Sequence, residues 1–345
     1  MHTDTSSGSG PAIGQAQADA QRTGHVTHPW AAEGQRQVQF GIGGGPMEDW
    51  PALREFVHMA EELGFDSYSL PDHPGFLGAN CWTTLAALAA VTSRIRLMPL
   101  VSCVYYYNPV VLARMVSDVD RISEGRAVLG LGSGDMPHEF AQMGLRYPST
   151  RERQAALDEA LQVIRPLLRG ETVTFHGQHF QAAGATLGRA PVQQPYIPIL
   201  IAGGGERSTL RYVAQYADAS NLGAVVWAGG AYTLADVQRK LDVLRQHCAE
   251  QGRPYESVLR TTLFAPTILA ETAAGRQAKL DRLPKQLLGF FEQAGLVASP
   301  EEAIERLKGL AAAGFTYFIP NVMGNDTDTL ELLAHRVIPA VIGQN

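Results

Sequence analysis

Between Val38 and the C-terminus the chain switches eight times from a short apolar run rich in β-branched residues to a longer amphipathic stretch, and few folds accept that rhythm. The short runs at 38–42, 67–70, 95–101, 127–132, 198–202, 219–224, 258–265 and 317–320 predict strands. The stretches at 49–63, 81–92, 109–122, 151–169, 207–216, 232–251, 286–294 continued by 300–313, and 327–338 predict helices. Pro109 and Pro300 stand where a first-turn proline belongs, and Gly64, Gly125, Gly170, Gly252 and Gly314 follow helices as stops. Strand and helix repeated eight times imply a parallel sheet closed on itself, a TIM (β/α)8 barrel. An open doubly wound sheet also alternates, but it concentrates its glycines in the first strand–helix turn, whereas here they recur after the first, fourth and fifth strands. "GIGGG" at 41–45 reaches Pro46 before any helix begins, so it is a weak dinucleotide match.

One segment breaks the rhythm. Residues 171–197 alternate with period two and carry turn glycines, which predicts a hairpin inserted between helix 4 and strand 5, with His176 and His179 as surface residues on it. Residues 1–37 are rich in Gly, Ser, Ala, Gln and Thr and read as a disordered or loosely docked extension, leaving 38–345 as the barrel domain.

Composition narrows the function classes. A net charge of -6 with no cluster of Lys or Arg argues against nucleic acid and anionic membranes as partners. No apolar run approaches a membrane span, and the first residues lack the basic and apolar regions of a secretory signal. Cys81, Cys103 and Cys248 are far apart, with no pair at metal or redox spacing, which fits a reducing, cytoplasmic setting.

In such a barrel the reactive groups lie at the C-terminal ends of the strands. After the second strand come Asp72 and His73, an acid–base pair able to exchange protons near neutral pH; the bland reading makes them a loop cap and a packed ring. After the fourth strand "GLGSGDMPHEF" holds Gly132, Gly134 and Asp135. Two glycines at that spacing would let a flat ring lie against the backbone with Asp135 at its edge, while the alternative is an Asp that caps a helix. His138 and Glu139 read as residues of that helix start. After the fifth strand "GGGERS" places Gly203, Gly204, Gly205, Glu206 and Arg207 at a helix N-terminus, where free backbone N–H groups and the helix dipole form an anion seat. Of Tyr105, Tyr106 and Tyr107, consecutive in sequence, one or two face the pocket.

"AEELGFDSYSLPDH", "NPVVLARMVSDVDRISEGRAVLGLGSG" and "PILIAGGGERSTLRYVAQYADASN" together resemble the bacterial-luciferase-like flavin and F-420 oxidoreductases, in the branch that uses the deazaflavin coenzyme F-420. The resemblance spans about Val38 to Pro339. It implies a barrel with the coenzyme's phosphate on the glycine turn at 203–207 and its ring in the mouth. It further implies that His73 is the active-site histidine, that Asp72 lies beside the coenzyme, and that Asp135 stands where the branch's dehydrogenases carry a proton-transferring glutamate. A non-proline cis peptide bearing on the ring is expected at Val101, Ser102 or Cys103. Two departures, Leu77 in place of a tryptophan and Tyr107 in place of an arginine, point away from glucose 6-phosphate and toward a larger, less charged substrate. The expected function is hydride transfer between F-420 and an alcohol/carbonyl pair or an activated double bond, in a homodimer. Two rivals are a monooxygenase using FMN, supplied in reduced form by a flavin reductase, and a flavin-binding protein without turnover.

Overall fold

The computed structural model describes residues 26–74, 79–223, 230–285 and 294–343. Its main sheet is built from parallel strands β1 (Gln39–Gly45), β2 (Ser67–Leu70), β3 (Arg96–Pro99), β4 (Ser102–Cys103), β5 (Leu129–Gly132), β8 (Ile199–Ala202), β9 (Ala219–Asn221), β10 (Leu259–Leu269) and β12 (Tyr317–Met323). The order β3-β2-β1-β12-β10-β9-β8-β5-β4 closes on itself, because a parallel bridge joins Leu97 of β3 to Ala127 just ahead of β5. The predicted third strand, 95–101, is realised as β3, and after a cis peptide between Leu100 and Val101 the short β4 follows it. β10 runs past its predicted end at 265 and pairs there with β11 (Leu296–Ala298), a strand the apolar pattern did not announce.

Helices α2 (Trp50–Glu62), α3 (Cys81–Val91), α4 (Pro109–Ile122), α6 (Thr150–Leu168), α7 (Thr209–Tyr216), α8 (Leu234–Glu250) and α10 (Pro300–Ala313) alternate with the strands, α9 (Ala273–Leu280) follows β10, and α11 (Thr327–Leu332) follows the last strand. Their starts are fixed by local chemistry. Asp49, Asn80 and Asn108 each accept a backbone N–H from the first turn, and Ser149/Glu152, Thr233/Asp236 and Ser299/Glu302 form reciprocal capping boxes. The hairpin of β6 (Val173–His176) and β7 (Gln181–Ala185) lies between α6 and β8. The chain returning from it is held by the buried carboxylate of Asp120, which accepts the amides of Val192 and Gln193. His176 is exposed on this hairpin, and no group of three or more metal-binding side chains occurs among the described residues. The helix predicted at 286–294 and the Leu77 position lie outside the described residues, apart from Ala294.

Residues 26–37, the described part of the expected extension, lie against the barrel. Short helix α1 (Pro29–Glu33) is docked under the barrel, with His28 as its cap: Nδ1 accepts the Trp30 amide and Nε2 faces the Tyr196 carbonyl oxygen at 3.0 Å. Trp30 is wholly buried and meets Tyr317 edge-on, among Met98, Val128, Leu200, Leu259 and Ile319, the inward-facing residues of the strands. Leu259 and Tyr317 open their strands and Val128 directly precedes β5, so α1 closes the N-terminal end of the barrel. The floor of the core is therefore completed by residues that the polar composition of 1–37 assigned to an extension. The other end of the barrel is left open for chemistry.

Candidate active site

Gly132 and Gly134 are expected to give a flat ring access to the backbone; on the side where a Cβ would stand, each is met by the chain itself. A Cβ on Gly132 would lie 2.8 Å from Val101 Cγ2, and one on Gly130 would fall inside contact distance of the Pro99 carbonyl oxygen. Gly134 has φ +80°, and a Cβ there would come within 2.5 Å of Cys103 Sγ and 3.2 Å of the Phe140 ring. These glycines let β5 pack tightly against the bulge at 100–103. Val101 borders the mouth at that bulge. Cys103 is buried, and burial pushes its thiol up to about 12, which leaves little thiolate near neutral pH.

The structure gathers Asp72, His73, Ser102, Tyr106, Tyr107, Asp135 and Glu139 around the C-terminal ends of β2, β4 and β5. Asp72 is buried; its Oδ2 accepts from Ser102 Oγ at 2.6 Å and its Oδ1 from the Tyr107 hydroxyl at 3.1 Å. Ser102 in turn accepts from Trp82 Nε1 at 3.1 Å, so the carboxylate is fixed by a relay that reaches α3. Burial pushes the Asp72 carboxyl up, against the opposing pull of the Ser102 and Tyr107 hydrogen bonds.

His73 is held from one side only. Its Nδ1 lies 3.1 Å from Glu139 Oε2, whereas Nε2 has no partner among the described residues and the side chain keeps 26% of its surface. Burial disfavours the charged ring, but the hydrogen bond to Glu139 and the nearby charges of Glu139, Asp135 and Asp72 outweigh it, and the imidazole is raised above its ordinary value. Asp135 is partly buried, bonded to no other side chain among the described residues, and held above the usual carboxylate range by burial despite the attraction of His73.

Glu139 was missed. Read from sequence as a helix-start residue, it does sit in the first turn of α5 (Pro137–Gln142), but its side chain is completely buried. Oε2 also accepts from the Tyr106 hydroxyl at 2.7 Å, and Oε1 has no partner among the described residues. Desolvation alone would raise this carboxyl; the hydrogen bonds from His73 and Tyr106 win, and it lies below the ordinary range. Its neighbour His138 is exposed, as a helix-start residue should be. Two of the three tyrosines therefore address carboxylates, while the Tyr105 hydroxyl turns toward the Glu152 carbonyl oxygen.

Across the mouth, the turn after β8 leaves the amides of Gly204, Gly205, Glu206 and Arg207 without an acceptor among the described residues, and Ser208 does not cap α7 through its side chain. Gly203 has φ +118°, and a Cβ on Gly205 would lie 2.9 Å from Thr209 Oγ1. Glu206 is directed away from this cradle, paired with Arg239 and Lys240 on α8, and Lys240 donates to the Gly204 carbonyl at 2.8 Å. Arg207 is exposed. Gln154 ties the two halves of the mouth together: Nε2 donates to Ser133 Oγ beside Gly134, and Oε1 accepts from Thr209 Oγ1 at the start of α7.

A parallel barrel with an acid–base cluster and an amide cradle on its C-terminal rim has the layout of an enzyme. A family model of luciferase-like monooxygenases matches residues 25–288, and the chain belongs to that family, as an oxidoreductase. The F-420-dependent glucose-6-phosphate dehydrogenase of Amycolatopsis mediterranei is 29% identical over 323 residues, 83% of this chain and 93% of its own. That of Kineococcus radiotolerans is 30% identical over 306 residues, 79% of this chain and 88% of its own. Among solved structures, an F-420-dependent secondary alcohol dehydrogenase in complex with an F-420–acetone adduct superposes with a TM-score of 0.74 at 20% identity, over 88% of this chain and 99% of that one. No helix among the described residues is long and apolar enough to cross a membrane.

Proposed function

We propose that this protein is an F-420-dependent oxidoreductase acting on an uncharged alcohol/carbonyl pair or an activated double bond of a small organic substrate. The observation that carries the reading is His73, whose Nε2 has no partner among the described residues, at the mouth of a barrel that also holds an amide cradle with no acceptor among them. The amides of 204–207 and the uncapped start of α7 fit a phosphate, whose charge the helix dipole would favour. By the family resemblance, Val101, Asp72 and Asp135 would lie beside the coenzyme's ring. Coenzyme F-420, when bound, supplies or accepts the hydride.

The chain's own residues do the rest. His73 presents Nε2 to the substrate oxygen, giving a proton in the reducing direction and taking one in the oxidising direction. Asp72, fixed by Ser102 and Tyr107, holds its side of the pocket rigid. Asp135 is the second group with a proton to exchange. Three carboxylates, Asp72, Asp135 and Glu139, face one histidine, and the guanidinium of Arg153, the cation acting on Asp135, is stacked on Tyr147 and bonded to the Pro148 carbonyl. This balance supports an uncharged substrate over a sugar phosphate.

The test is fluorescence titration of the purified protein with F-420 and FMN side by side, followed by turnover with secondary alcohols, ketones, enones and glucose 6-phosphate. Micromolar binding of F-420 alone, with turnover of an uncharged substrate lost in His73→Asn, is the expected result. Binding of FMN alone would overturn the proposal in favour of an oxygen-using monooxygenase served by a flavin reductase.

A further inference from the structure

We infer that Glu139 is a positioning residue which fixes His73 with Nδ1 protonated and Nε2 turned to the mouth, and that Tyr106 tunes this hold. The inference rests on His73 being the proton-exchanging group of the proposed reaction.

The geometry leaves the ring little choice. A carboxylate oxygen 3.1 Å from Nδ1 is an acceptor, so Nδ1 must carry hydrogen whether the ring is neutral or charged. In the neutral ring Nε2 then offers a lone pair, and in the charged ring it offers N–H; both faces of acid–base catalysis are presented at the same atom and toward the same space. Without the carboxylate the two neutral tautomers would compete, and the one with Nδ1 bare would have the wrong sense for proton acceptance at Nε2.

The Glu139 side chain is fully buried, so it cannot itself reach a substrate in the mouth, and a buried carboxylate is costly unless it is hydrogen-bonded. Oε2 takes both partners, His73 Nδ1 and the Tyr106 hydroxyl. The Tyr106 donation draws charge from that oxygen and weakens its claim on the histidine proton. The other charges facing His73 are Asp72 from the end of β2 and Asp135 from the loop after β5, and exposed His138 is the further group acting on Glu139.

The experiment is nitrogen NMR of the imidazoles in the full-length protein, in wild type, Glu139→Gln and Tyr106→Phe, over pH 5 to 9, with His73→Asn to assign the signal. In wild type the neutral His73 ring is expected as the single Nδ1–H tautomer. Glu139→Gln should move its midpoint to lower pH and mix the tautomers, and Tyr106→Phe should move it to higher pH with the tautomer kept. With a substrate in hand, Glu139→Gln should also displace the histidine limb of the kcat/KM profile to lower pH and leave coenzyme affinity unchanged. An unaltered His73 tautomer and midpoint in folded Glu139→Gln would overturn the inference. Should that variant fail to fold, an unaltered midpoint in Tyr106→Phe would overturn it equally. The NMR readout needs no turnover, so loss of the proposed reaction and loss of the positioning role are told apart.

Discussion

Replacing Trp30 by Ala should destabilise the whole barrel, although the residue lies far from the active site in a segment of polar composition. Trp30 is 0% exposed and fills the barrel floor against Tyr317, Met98 and Leu200. A tryptophan side chain removes roughly 150–250 Å² from water, worth about 4–6 kcal/mol at about 25 cal/mol per Å². Two terms reduce this. The indole Nε1 is buried without a partner, and removing it returns about 1–2 kcal/mol; a compact unfolded chain trims the apolar gain further. About 3–4 kcal/mol remains, in line with large-to-small core substitutions. Unfolding entropy of about 2.1 cal/mol/K per residue gives roughly 0.7 kcal/mol/K for a chain of this length, so Tm should fall by about 5 °C. Calorimetry or a near-ultraviolet circular dichroism melt reads this directly. A fall of less than about 1 °C would show that the helix only rests on the barrel, and would refute the packing argument.

The remaining expectations concern the glycines, the ion pair and the thiols. Gly130→Ala should give a protein that melts many degrees lower or fails to accumulate, because the new Cβ meets a backbone oxygen that cannot move aside; Gly309→Ala, inside α10 with nothing within 4 Å, should stabilise by about 0.5–1 kcal/mol and raise Tm by about 1 °C. Because His73 is raised on folding, its contribution to stability is complete below the ordinary imidazole range and is lost as pH climbs through the raised value. Glu139 is depressed, so its contribution is complete above the ordinary carboxylate range and is lost as pH falls through the lowered value. The difference in Tm between wild type and His73→Asn should therefore be greatest in mildly acidic solution and shrink on either side; a flat profile would contradict the coupling. Cys81, Cys103 and Cys248 are all buried with thiols raised by burial, so a disulfide reagent at pH 8 should find no fast thiol in the native protein and all three in denaturant.

Much of this molecule is local information. Strand period, helix stripe, capping Ser, Thr and Asn, and the glycines that stop helices act over a few residues, so the closed parallel sheet, its helices and the loops carrying Asp72, His73, Asp135 and Gly203–Gly205 are legible along the chain. The amide cradle is legible for the same reason, since a glycine run opening a helix is a local pattern. Three features depended on distance through space. Glu139 looks like an ordinary first-turn acid, and only the rotation of α5 buries it and brings it to a histidine 66 positions earlier. Gly132 and Gly134 announce a close approach without naming the visitor; on the Cβ side it is Val101 at the break between β3 and β4, and Cys103 of β4. The segment around Trp30 has the composition of a solvated extension, and its one large aromatic gains its meaning from the ring of strand starts it closes. Sequence determined the elements and the types of group at the rim, because those follow from near neighbours; the tertiary structure decided which groups meet, because burial and orientation belong to the assembled barrel.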